Sequence, residues 1–164
     1  GTLAILFSIQ RILKDADANK WNRFLILEDD VIFHRNFKLE WSKKIKTIPD
    51  HWKLLFLGNS MHRWRFRERA KIHPAGYLTC RGAIPGAFAL GIDRSVIGDL
   101  WRGILTGKSP WDINPLKQIN TMYPGKCIVL HPPLCIAGVE DSDLRDRDMN
   151  QKAADCGWNL KQFY

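Results

Sequence analysis

The feature that most constrains the fold is an apolar run at residues 24–27 that ends in three consecutive carboxylates, Glu28, Asp29 and Asp30. Apolar residues on successive positions predict a parallel strand that is covered on both faces. Carboxylates at close range raise each other's pKa, and a divalent cation would compensate their charge. In open α/β sheets, ligands bind at the C-terminal ends of strands. The sequence therefore predicts a metal or ligand site at this strand end, with an acidic loop that caps the next element as the alternative.

The direction of the three side chains follows from the period of a strand. Successive residues of an extended chain point to opposite sides. Glu28 and Asp30 are therefore predicted to share one side and to bind the metal, while Asp29 faces the other side and orients substrate.

The rest of the chain alternates between helical and extended patterns. This alternation predicts a single α/β domain over residues 1–164, with a mainly parallel, Rossmann-like sheet flanked by helices. Predicted helices are 2–16, 37–48, 94–105 with Asp93 as N-cap, and one starting at Ser109-Pro110-Trp111-Asp112; predicted strands are 24–27, 52–57, 77–80, 87–92 and 127–131, and the remainder is expected to be irregular.

Charge and cysteine content narrow the class of protein. The formal net charge is +8, and basic residues concentrate between Arg63 and Lys71. Such a segment is a solvated loop, a contact for an anionic substrate or membrane surface, or, least favoured, a nucleic-acid site.

The four cysteines form no C-x-x-C pair, so free buried thiols are expected. No apolar run approaches the ~20 residues that span a bilayer, so we expect a cytoplasmic protein, with membrane association through the basic segment as one option.

Several segments together resemble a known enzyme family. Residues 25–31, Leu-Ile-Leu-Glu-Asp-Asp-Val, are similar to the acidic signature of glycosyltransferase family 25, the lipooligosaccharide and procollagen galactosyltransferase-like group. The opening helix and the segments 86–90, 110–112, 132–134 and 142–144 resemble further parts of that family in the same order. The likeness covers roughly residues 2–145, and only the acidic signature is individually specific.

The resemblance implies a GT-A-like fold and a specific chemistry. A manganese or magnesium ion would bridge the acidic motif and the diphosphate of a nucleotide sugar, most simply UDP-linked. The sugar, galactose being one candidate, would pass to a hydroxyl of a glycan or of a protein-linked acceptor. The family has a nucleotide-binding strand before the opening helix, and no such segment precedes it here. We therefore expect either a version lacking that strand or a fragment of a longer protein.

The same resemblance suggests roles for three further residues. Asp112 is the candidate for the base that accepts the acceptor's proton, or for a group that orients the acceptor. As an alternative, Asp112 caps the first turn of its helix. Ser142 and Asp143 are expected near the phosphates or the metal, with a polar loop as the equal alternative.

Other candidates follow from their position at the ends of predicted strands. Gly58 and Asn59 are predicted to line the sugar pocket, although both are also ordinary turn residues. His131 is predicted as a metal ligand or phosphate contact, against a core or surface histidine. Among the tryptophans, Trp21, Trp41 and Trp101 are expected in the core, and Trp64 and Trp111 are candidates for the acceptor site.

Two function classes remain open on these observations. The leading one is a metal-dependent transferase that uses a nucleotide-sugar donor. The alternative is a non-catalytic basic module that binds an anionic glycan, a membrane or nucleic acid. A metal-dependent phosphoryl enzyme is less favoured, because the histidine-rich and lysine-bearing motifs of those classes are missing.

Overall fold

The computed structural model describes residues 2–61, 70–106, 110–138 and 148–164. Its helices and strands include every predicted element, with boundaries that differ by several residues, and add elements that the sequence patterns did not predict. The α-helices are α1 Thr2–Ala18, α2 Phe37–Lys44, α3 Ile97–Thr106, α4 Pro115–Met122 and α5 Met149–Cys156. The strands are β1 Arg23–Leu27, β2 Val31–Phe33, β3 Leu54–Phe56, β4 Ala70–His73, β5 Tyr77–Cys80, β6 Ala89–Asp93, β7 Cys127–Leu130 and β8 Cys135–Ala137.

Six strands form one sheet in the order β1-β6-β3-β7-β5-β4, and β2 pairs with β8 in a separate ribbon. Among the described strands of this sheet, β3 and β7 are the one parallel pair, and the other neighbours are antiparallel. The predicted α/β class is thus confirmed in its coarse form, while a mainly parallel sheet is not. A strand buried on both faces shows the same apolar run in either direction, so its sequence does not reveal its orientation.

The two faces of the sheet carry separate hydrophobic clusters. Leu54 and Phe56 of β3 belong to one cluster, which α1, α3 and α4 cover with residues such as Leu13, Leu100 and Ile119. Leu55 and Leu57 belong to the other, which packs against α5 and the β2/β8 ribbon. This alternation is the period of two that a strand imposes. The sheet is therefore a middle layer between two apolar layers.

Strand β1 differs from its predicted environment. It lies at the edge of the sheet with β6 as its neighbour, and Leu25 and Leu27 are 46% and 45% exposed. Only Ile26 of this strand is fully buried. The expectation of a strand covered on both faces is wrong for β1, because its second face is only partly covered. Trp21, expected in the core, is likewise 48% exposed.

Helix boundaries show which local signals were reliable. Asp93 caps its helix as predicted, since its carboxylate accepts a hydrogen bond from the Ser95 N–H at 3.1 Å. A 3-10 turn at Arg94–Val96 precedes α3. The helix expected from Ser109 instead starts at Pro115, with Asn114 in the N-cap position. The C-terminal region, expected to be irregular, contains β8 and α5.

Two further expectations concern the state of the cysteines and membrane-spanning helices. All four cysteines are buried thiols that form no disulfide, as predicted. No helix in the described ranges is long and apolar enough to cross a membrane.

Candidate functional site

The acidic strand end is held by backbone contacts with neighbouring strands. The Glu28 N–H donates to the Phe88 carbonyl at 2.8 Å, which continues the β1 and β6 pairing by one residue. The Asp30 carbonyl accepts from the Gly138 N–H at 2.8 Å, just beyond β8. The backbone at Glu28 and at Asp30 is therefore held in place by hydrogen bonds to residues that adjoin β6 and β8.

Glu28 has the most perturbed carboxyl group of the site. Desolvation is the largest cause that raises its pKa to about 7, although the residue as a whole is exposed. The charges of Asp30, Asp112 and Asp29 raise it further in that order, and Lys152 opposes them. A carboxyl group that is partly desolvated and surrounded by like charges favours its protonated form. The fold thus brings residues from distant parts of the chain close enough to interact with Glu28.

The pKa of Asp30 is also raised. Desolvation raises its pKa, and Asp29 adds to the shift. Lys152 and a backbone hydrogen bond lower it. The charge of Asp30 raises the pKa of Glu28, so these two carboxylates are electrostatically coupled. The prediction that a strand directs them to one side does not apply, because β1 ends at Leu27 and Asp29 and Asp30 lie in a turn.

Asp112 reaches the site from a turn rather than from a helix. The Ile113 and Asn114 N–H groups both donate to the Pro110 carbonyl, at 3.1 and 3.2 Å, which closes this turn. The Asp112 Oδ2 atom accepts from the Gly86 N–H at 3.3 Å. Asp112 therefore does not cap α4, and its carboxylate is directed toward the loop before β6.

Trp111, next to Asp112, is only 4% exposed and belongs to the first hydrophobic cluster. The prediction that it contacts an acceptor from a loop is wrong. Its indole anchors the turn in the core instead, which explains how a short loop can hold the Asp112 carboxylate in place.

Gly58 and Asn59 form a buried turn beside the site. A Cβ at Gly58 would lie 1.9 Å from the Cys135 carbonyl oxygen, so only glycine fits there. The Asn59 side chain is 5% exposed, and its Oδ1 accepts from the Met61 N–H at 2.9 Å. Both residues therefore have a clear structural role, and a donor contact by either stays a prediction.

His131 directly follows β7. Its N–H donates to the Gly76 carbonyl at 3.1 Å, and its own carbonyl accepts from Lys44 Nζ at 3.0 Å. Burial and the Lys44 charge lower the pKa of its ring. The groups that shift the pKa of Glu28 and Asp30 do not include His131. A metal-binding role for His131 gains no support from its surroundings.

Several predicted residues lie outside the described residues: Ser142, Asp143, Arg63 to Arg69 and Trp64. Of the basic segment, Ala70 and Lys71 start β4, which pairs with β5 as a hairpin. Lys71 is exposed.

Lys152 is a residue of the site that the sequence patterns missed. It lies in α5, and its charge lowers the pKa of both Glu28 and Asp30. The missed signal was the helix itself, since Asp148 caps it by accepting from the Asn150 N–H and Gly157 ends it at a φ of 74°. An aspartate followed nine residues later by glycine is typical of a short capped helix.

The chemistry of these groups suits a hard divalent cation. Carboxylate oxygens are the ligands that Mg²⁺ and Mn²⁺ prefer, and a cation would relieve the repulsion that raises the pKa of Glu28 and Asp30. Within the described ranges, no three histidine, cysteine, aspartate or glutamate side chains are grouped so that they could hold a metal. Mg²⁺ commonly binds through one or two carboxylates, waters and substrate phosphates, so Glu28 and Asp30 fit that mode.

The raised pKa of Glu28 predicts a pH effect on stability in metal-free buffer. Folded Glu28 holds its proton more tightly than unfolded Glu28, so stability is present below the unfolded pKa and falls as pH rises from about 4.5 to about 7. Glu28→Gln should remove this part of the fall, measured by urea unfolding across that range. Glu40→Gln is the control, because Lys43 lowers the pKa of that exposed carboxyl. Parallel pH curves for the wild type and Glu28→Gln would contradict the assignment.

Comparison with known proteins found no match in two searches. No protein-family model matches the chain, and a search of curated proteins finds no match.

Proposed function

We propose that this chain is a metal-assisted glycosyltransferase that uses a nucleotide-sugar donor. The observation that carries the proposal is the acidic cluster at the end of β1, where Glu28 has a pKa of about 7 beside Asp30 and Asp112. Carboxyl groups whose pKa values are raised by burial and by neighbouring charges are typical of functional sites. The similarity of residues 25–31 to a glycosyltransferase signature supports the choice among metal-dependent reactions.

Glu28 and Asp30 are the residues that would hold Mn²⁺ or Mg²⁺. The bound ion supplies charge neutralisation for the departing nucleotide diphosphate. Asp29, which lies with Asp30 in the turn between β1 and β2, is proposed to orient the donor sugar. A role for Ser142 and Asp143 near the phosphates stays part of this proposal.

Asp112 is proposed as the base. Its Oδ2 atom is occupied by the Gly86 N–H, and within the described part of the chain Oδ1 has no hydrogen-bond partner. Oδ1 can therefore accept the proton of the acceptor hydroxyl while that oxygen bonds to the sugar's anomeric carbon and the bond to the diphosphate breaks. The Gly86 hydrogen bond would hold the carboxylate in one orientation during this step.

The direct test is calorimetric titration of the chain with UDP, UDP-galactose and UDP-glucose, with and without Mn²⁺. We expect UDP and at least one sugar nucleotide to bind only, or much more tightly, when Mn²⁺ is present. A chain that binds none of these compounds in either condition would overturn the proposal.

The alternative function is a basic module that binds an anionic glycan or membrane surface. The net charge of +8 favours it. It predicts binding to heparin or to anionic vesicles that weakens steeply with salt and does not depend on Mn²⁺ or nucleotide.

A further inference from the structure

Lys152 occupies a well-defined position beside the acidic cluster. It lies in the middle of α5, whose first turn is closed by the Lys152 N–H donating to the Asp148 carbonyl at 3.1 Å. The side chain of Asp148 caps the same end of the helix. The backbone that carries Lys152 is therefore fixed, although the helix is only eight residues long.

Contacts with Gly138 and Trp158 help to position the Lys152 ammonium group. Its Nζ donates to the Gly138 carbonyl at 3.4 Å, and it lies 5.4 Å from the ring centroid of Trp158. The Gly138 N–H in turn donates to the Asp30 carbonyl at 2.8 Å. Gly138 therefore connects the ammonium group to the backbone of Asp30 through two hydrogen bonds.

The aromatic partner of Lys152 is tied to a second part of the site. The Trp158 Nε1–H donates to the Asn59 carbonyl at 3.1 Å, and Trp158 is 6% exposed. Its ring also packs edge-on against Phe88, with centroids 6.2 Å apart. Because Trp158 cannot move freely, it limits where the lysine stem can lie.

The charge of Lys152 acts where the donor is proposed to bind. It lowers the pKa of Glu28 and Asp30, whereas the charges of Asp29 and Asp112 raise the pKa of Glu28. A diphosphate approaching this region is repelled by those carboxylates and needs cations beside it. The 3.4 Å hydrogen bond to Gly138 is long, and a phosphate oxygen is a stronger acceptor than a carbonyl.

We propose that the Lys152 ammonium group binds the diphosphate of the donor, as a second cation beside the metal. This inference rests on the proposed function for the identity of the donor. Lysine suits this role because its flexible stem lets the ammonium group turn from Gly138 to a phosphate oxygen.

The test compares three variants by calorimetry with UDP and with inorganic pyrophosphate, each with and without Mn²⁺. Lys152→Met keeps the stem and removes the charge, and Lys152→Arg keeps the charge. Lys161→Met is the matched control, because Lys161 is exposed and lines a different cleft with His34 and Arg35. We expect Lys152→Met to weaken UDP binding about 10-fold or more, the loss typical of a charge-assisted hydrogen bond. Lys152→Arg should retain most of the affinity, and Lys161→Met should retain all of it.

The outcomes separate this inference from the proposed function. If the wild type binds UDP with Mn²⁺ and Lys152→Met binds it equally well, the inference is wrong and the transferase proposal stands. If the wild type binds pyrophosphate but not UDP, with no dependence on Mn²⁺, and Lys152→Met loses that binding, Lys152 is a diphosphate contact and the transferase proposal fails. A wild type that binds neither compound overturns both. Equal losses in Lys152→Met and Lys152→Arg would also overturn the inference, because they would indicate a packing role.

Discussion

Replacing Gly58 with alanine is expected to destabilise the protein by about 4 kcal/mol or more, which places it among the most damaging single substitutions. The added Cβ would lie 1.9 Å from the Cys135 carbonyl oxygen and 2.9 Å from a ring carbon of Phe88. Both neighbours would have to move. Relaxation is difficult, because the Leu57 carbonyl next to Gly58 already accepts hydrogen bonds from the N–H groups of Leu134 and Cys135.

Gly98→Ala is the matched control for this prediction. Gly98 lies in α3, and a Cβ there would meet nothing within 4 Å. Alanine in a helix should therefore stabilise the protein by about 0.5 to 1 kcal/mol. Urea unfolding of both variants measures the difference. A Gly58→Ala variant as stable as the wild type would mean that β3 and the Leu134 to Cys135 segment are not packed as described.

The second large effect is expected at Asp30. Asp30→Asn should reduce Mn²⁺-dependent UDP binding and the release of UDP from UDP-galactose by about 100-fold or more. Losing a residue that only supports a metal ligand already costs about 10- to 100-fold, and losing a ligand should cost more. The change removes one negative charge and keeps the size of the side chain, so stability should change little.

Asp15→Asn is the control for charge alone, because Asp15 is exposed in α1, away from the acidic cluster. It should retain wild-type binding and turnover. If Asp30→Asn binds UDP and Mn²⁺ as the wild type does, Asp30 is not a metal ligand. If it loses binding because it unfolds, near-UV circular dichroism would show lost tertiary packing.

Local patterns identified most of the elements. The cap at Asp93 and the strand that ends before Glu28 could be predicted because capping and periodicity depend on neighbouring residues. The start of α4 could not be predicted as reliably. Pro110 and Pro115 both suit a first helical position, and the burial of Trp111 selects the second.

The candidate site was predicted in part. The carboxylates 28 to 30 stand out in the sequence because charge directly after an apolar run is costly without compensation. Their interaction with Asp112 agrees with the choice of that residue, but its hydrogen bond to Gly86 joins two loops that no local pattern connects. Lys152 was missed because its short helix follows a long polar stretch.

The sequence by itself determined most of the helices and strands, the four cysteine thiols, and the acidic strand end, because these depend on side-chain type and local spacing. Only the tertiary structure decided that β1 is an exposed edge, that most strands are antiparallel, and that Lys152 lies beside Glu28 and Asp30. Strand direction and the meeting of distant side chains depend on how the connections pack over the sheet. Apolar patterns record burial but not the identity of the partner.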